Sequence, residues 1–63
     1  MTKGKPYIVT ITYRDGSQVT GDYHKLDKAD SAAWAQAKSN VHRVAKTEIT
    51  DARTGQTLKT FAN

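Results

Sequence analysis

Two histidines, His24 and His42, and the acids most easily brought near them, Asp22 and Glu48, are the side chains of this 63-residue chain that could move a proton or hold a metal ion. A His–carboxylate pair is a minimal acid–base device, but it works only when its spacing is fixed. Nothing between His24 and His42 specifies that spacing. The serines sit in no nucleophile elbow, and the glycines form no phosphate-cradling loop. The absence of cysteine removes thiolate ligation and disulfides together. No catalytic residue, metal ligand or cofactor is assigned on this basis. The chain reads as a non-enzyme.

The cations form the second chemically capable group. Lys25 and Lys28 lead into the central segment, Lys38, His42, Arg43 and Lys46 leave it, and Arg14 and Arg53 sit in two turns that close on glycine. A net charge of +4 and a pI near 9.6 favour acidic or phosphate-bearing partners. The same charge also serves solubility, and Lys38 complements a helix dipole. A nucleic-acid surface needs such cations on one face with aromatic rings to stack bases. Tyr13, Tyr23 and Phe61 are available, but Tyr7, Tyr23 and Trp34 are read more economically as core. The one helical stretch turns Ala, Ser and Gln outward, where a recognition helix would carry arginine. Arg14, His24, Lys25, Lys28, His42, Arg43, Lys46 and Arg53 are therefore the candidate contacts for a protein partner or, alternatively, for RNA or DNA.

The element that must position them is the segment 27–40. Asp27 is the expected N-cap, Asp30 adds negative charge near the positive end of the dipole, and the alanine-rich body loses least on helix formation. Ser39-Asn40 is the expected stop, with Asn in the left-handed conformation. At 100° per residue Ala29, Ala33, Ala37 and Val41 share a stripe with Trp34 at its edge. Small residues let the helix approach a sheet closely, and Trp34 is expected to supply most of the buried area. A helix this short is marginal alone, so docking must stabilise it.

Strands are expected on both sides. Tyr7 to Tyr13 is β-branched and aromatic throughout. Two turn lengths are open for the first hairpin (7–24). A two-residue Asp15-Gly16 loop sets Ile11 against Thr20; a three-residue Arg14-Asp15-Gly16 loop sets Ile11 against Val19, Val9 against Gly21 and Tyr7 against Tyr23. The second places apolar beside apolar and is preferred. In the second hairpin (43–61), Ala45, Thr47 and Ile49 share one face, and Val44, Lys46 and Glu48 the other. A four-residue Ala52 to Gly55 loop would set Ile49 opposite Leu58.

The fold class that follows is α+β: ββαββ, a four-stranded antiparallel sheet with one helix packed on one face. The expected core is Tyr7, Val9, Ile11, Val19, Tyr23, Leu26, Ala33, Trp34, Ala37, Ile49, Leu58 and Phe61. The opposite face, with Thr10, Thr12, Thr20 and Thr60, is left open to solvent or to use.

Length limits what this core can do. A chain this short buries only about 60% of the surface its unfolded form exposes, so a homodimer is the remaining way to gain burial. One small domain spanning 1–63 is expected, its residues 1–6 a loose basic arm. No apolar run approaches membrane-spanning length, and no secretory h-region follows the first residues, so a cytoplasmic protein is expected. From Met1 the chain reads as a complete short open reading frame.

Tyr13-Arg14-Asp15-Gly16-Ser17, the Asp27 to Asn40 segment and Thr54-Gly55-Gln56 together give a layout that resembles short accessory proteins of bacteriophages and mobile elements. The resemblance spans nearly the whole chain at the level of layout. It implies a protein that binds and modulates a host protein or nucleic acid. It carries no residue roles.

Overall fold

Glycine-closed turns set both hairpins. In the computed structural model, which describes residues 5–63, Gly16 and Gly55 take φ of 96° and 77°, the left-handed region that only glycine enters without strain. The first turn links β1 (Tyr7–Tyr13) to β2 (Gln18–Tyr23) through the three-residue loop, with Gly16 N–H donating to Tyr13 C=O at 3.0 Å. Ile11 lies opposite Val19, Val9 opposite Gly21 and Tyr7 opposite Tyr23, the register that apolar pairing favours. The second turn links β3 (Val44–Asp51) to β4 (Thr57–Ala62) by a four-residue loop closed by Asp51 N–H to Gln56 C=O at 2.9 Å.

The helix α1 (Leu26–Ser39) crosses from the first hairpin to the second. The sheet order is β2-β1-β3-β4, all antiparallel, so the chain is ββαββ and α+β. No helix among the described residues is long and apolar enough to cross a membrane. Of the expected basic arm, residues 1–4 lie outside the described part. Pro6 is already engaged, its carbonyl accepting Ala52 N–H at 2.8 Å.

Helix docking rests on small residues. Ala29, Ala33 and Ala37 are fully buried, and Ala29 and Ala33 pack with Val9 and Ile49 of the central strands. Tyr7, Ile11, Tyr23 and Phe61 are half-buried around them. Thr47 is buried too, and its hydroxyl donates to Ala33 C=O at 3.0 Å, so no buried polar side-chain atom among the described residues lacks a partner.

The helix ends differ from the sequence reading. The N-cap is Lys25, without a side-chain hydrogen bond, and Asp27 lies inside the first turn, where it acts through the dipole. Asn40 closes the helix at φ −126°, not left-handed, with its N–H on Gln36 C=O.

Two bulges revise the second hairpin. Thr12 pairs with Lys46 but Tyr13 with Val44, so Ala45 is an extra residue in β3. Strict alternation would have put Val44 on the open face; the bulge returns it to the helix face, fully buried. Thr50 pairs with Thr57 but Ile49 with Lys59, so Leu58 is extra in β4. The expected Ile49–Leu58 pair is therefore replaced by Ile49–Lys59. Lys59 and Phe61 thereby reach the helix face.

Four expected core residues are exposed. Trp34 shows 55% of its surface, Val19 51%, Leu26 44% and Leu58 41%. The common cause is that one helix covers β1 and β3 and covers the inner faces of the edge strands only in part, at Tyr23 and Phe61. Val19 lies on edge strand β2 and Leu58 at the bulge of edge strand β4. Trp34 follows Ala33 and turns off the alanine stripe, while Leu26 is the first residue of the helix. Val41, past the helix end, is also exposed.

Candidate functional site

The histidines are far apart. His24 follows Tyr23, which pairs with Tyr7 at the start of β1; His42 precedes Val44, which pairs with Tyr13 at its end. Six strand steps separate those ends, roughly 20 Å. Asp22 and Glu48 sit on the open face, opposite Ile8 and Thr10. Among the described residues no three His, Asp or Glu side chains gather where a metal could sit.

The candidate cations divide likewise. Arg14, His42 and Arg43 cluster at the Tyr13 end. There Arg14 donates from Nε and Nη2 to Val41 C=O at 3.2 and 2.9 Å, and its N–H to Arg43 C=O at 2.7 Å. The guanidinium thus clamps the first turn to the loop after α1. Tyr13, Arg14, Asp15, Ser17 and Arg43 line a shallow hollow of about 460 Å³ there. Ser17 donates its hydroxyl (2.7 Å) and its N–H (2.9 Å) to Asp15, and these bonds hold the Asp15 carboxyl below its usual 3.8.

His24, Lys25, Lys28 and Arg53 lie toward the other end, all exposed. Arg53 is tied to Asp51, Nε to Oδ1 at 3.2 Å, which lowers the Asp51 pKa and raises its own. Lys46 is on the open face, 3.8 Å from Glu48. The structure divides these cations between the two ends of the sheet, with Lys46 on the open face beside Glu48, and does not line them up as a stripe.

The apolar surface is more concentrated. Between α1 and β4 two adjoining hollows flank one ion pair: Lys59 Nζ lies 3.2 Å from Asp30 Oδ1. Leu26, Asp27, Asp30, Leu58 and Lys59 line the first, of about 400 Å³. Asp30, Ser31, Trp34, Ala35, Lys59 and Phe61 line the second, of about 530 Å³. Lys59 Nζ also stands 5.4 Å from the Phe61 ring centroid, within cation–π range. Sequence reasoning assigned Leu26, Trp34 and Leu58 to the core and so missed this surface, while Phe61 packs against the core and lines the second hollow as well. The available signal was geometric: a single helix cannot roof four strands.

The opposite flank, between α1 and β2, carries a smaller hollow of about 300 Å³ whose helix wall is Ala32, Ala35 and Gln36. The open sheet face presents Thr10, Thr12, Thr20, Thr50, Thr57 and Thr60 with Asp22, Glu48 and Lys46, a mostly polar surface in which Ile8 is the large apolar residue. The chain matches no family model, no curated protein and no solved structure.

Proposed function

We propose that the protein is a non-enzymatic interaction module that binds a protein partner through the flank between α1 and β4. The observation that carries this reading is the gathering of Leu26, Leu58 and Trp34, each more than two-fifths exposed, beside half-buried Phe61. Exposed large apolar side chains scattered singly need no explanation; grouped along one groove and rimmed by a charged pair, they mark a binding surface. An exposed indole next to a hollow also has the character of a binding anchor.

Binding and modulating a partner is the mode that the likeness to short phage accessory proteins implies. Nucleic-acid binding is the weaker reading, because the cations are split between two ends and Arg14 and Arg53 already serve local bonds. The test is site-specific photo-crosslinking in expressing cells, with the probe at Ser31, which lines the apolar groove, or at Thr12 on the open face. Adducts to protein from Ser31 and none from Thr12 are expected. No adduct from Ser31, or adducts to nucleic acid, would overturn the reading.

A further inference from the structure

We infer that the partner this flank fits is a second copy of the chain, joined edge to edge along β4; the inference rests on the protein-binding reading above. Backbone polarity comes first. Asn63 N–H donates to Ala45 C=O at 3.0 Å, which fixes the phase of the β3–β4 ladder. In an antiparallel pair bonded and non-bonded positions alternate. Phe61 and Lys59 therefore turn their amides toward β3, and Thr60 and Ala62 turn theirs to the outer edge. No described strand pairs with that edge.

An unpaired edge is a template for another strand, and the usual protections are prolines and inward charges. β4 has no proline, and its lysine is neutralised by Asp30 at 3.2 Å. A two-fold axis at Thr60 satisfies the outward amides of both copies and sets Lys59 of each opposite Phe61 of the other. The cation–π contact present within one chain then recurs between chains, and no like charges stand directly opposite, the two Lys59 side chains being diagonal neighbours each paired with its own Asp30. An axis at Lys59 or Phe61 would place the wrong amides in register, and the former would oppose two lysines.

The space above the seam decides between the two edges. With strands about 4.8 Å apart and each helix over the β1–β3 boundary, the helix axes across a β4 seam lie roughly 19 Å apart. Packed helices sit at about 10 Å, so a gap of roughly 9 Å remains to be filled. Trp34 projects on this side, and two indoles at the usual ring spacing of about 5–7 Å fill it. A β2 seam has the same ladder phase at Thr20, because Tyr13 N–H donates to Ser17 C=O at 2.8 Å, but there the helix offers only Ala32, Ala35 and Gln36 above the Val19 and Tyr23 side chains of the strand. No aromatic side chain projects from the helix on that side to meet a second copy.

With one short strand edge and one indole from each copy, the interface is expected to fall below the ~800 Å² per partner of a standard one, and the dimer to have roughly micromolar affinity. The experiment is sedimentation velocity of the purified chain from about 1 µM to about 1 mM, with the emission of its one tryptophan followed in parallel. Dimerisation with a blue shift is expected. Thr60→Pro removes an outward N–H and leaves the β3 ladder intact; it should weaken association by about tenfold or more. Trp34→Ala should weaken it comparably without touching the edge, and Thr20→Pro, the matched change on β2, should leave it unchanged. Circular dichroism confirms that each variant is folded. A monomer throughout, a dimer indifferent to both Thr60→Pro and Trp34→Ala, or one broken by Thr20→Pro would overturn the inference. If the chain is monomeric yet the Ser31 crosslink captures another protein, self-association fails while the protein-binding reading stands. If neither is seen, both fail.

Discussion

Thr47 on β3 donates its buried hydroxyl to the Ala33 carbonyl of α1 at 3.0 Å, a polar pin at the centre of an otherwise apolar contact. The bond fixes where along the strand the helix rests, because alanines alone provide a smooth rail. Thr47→Val keeps the shape and removes the donor, and it should destabilise the fold by about 0.5–1.5 kcal/mol. Ile49→Ala, which empties the neighbouring core position, should cost about 2–5 kcal/mol. Urea denaturation of the two variants should give that order.

Trp34 is half-exposed, so truncating it should not unfold the chain. Trp34→Ala is expected to cost on the order of 1–2 kcal/mol, well short of the ~3–5 kcal/mol of a buried aromatic, and to leave the far-ultraviolet spectrum unchanged. Ala33→Leu should do more harm. Ala33 is fully buried against the sheet, and added methylenes there must lift the helix, at a cost of about 1–3 kcal/mol. A larger loss from the tryptophan than from the alanine in thermal melts would contradict this placement.

The ββαββ order, the three-residue first turn and the alanine stripe were legible because each follows from local rules: β-branched runs, glycine at the turn ends, and spacing at 100° per residue. Both loop lengths were legible for the same reason. The bulges at Ala45 and Leu58 were not, since a bulge is a negotiation between strands and the helix above them, and alternation alone assigns Val44 to the wrong face. The candidate surface was missed through a related assumption, that large apolar residues go inside. Among the described residues the largest fully buried side chains are Ile49, Val44 and Thr47, and with the helix alanines they already fill the inside.

Asp15 and Asp51 make stability depend on acid pH. Ser17 holds the Asp15 carboxyl below its ordinary 3.8, chiefly through its hydroxyl, and Arg53 does the same for Asp51 through its guanidinium. Unfolding breaks these bonds and returns both groups to the ordinary value. The folded chain therefore binds fewer protons in this range, and its advantage is complete above the unfolded pKa and lost as pH falls through the lower folded values. Ser17→Ala should raise the Asp15 midpoint toward 3.8 and leave that of Asp51 in place. A carbon-detected NMR titration of the carboxyl groups reads both at once, and an unmoved Asp15 midpoint would show that the hydroxyl is not the cause.

Arg14 separates a structural role from a binding one. Its Nε and Nη2 both reach the Val41 carbonyl, so a planar fork, and not charge alone, closes the loop after α1 onto the first turn. Arg14→Lys keeps the charge and loses the fork. The expected result is a small destabilisation, a few tenths to about 1 kcal/mol, with faster amide exchange at Arg43 and Val44, whose N–H groups bond the Asn40 carbonyl in that loop. Were Arg14 chiefly a phosphate contact, the lysine variant would leave loop exchange unchanged and alter only salt-dependent binding to oligonucleotides. Exchange rates at those two amides, compared between wild type and Arg14→Lys, decide which role the residue holds.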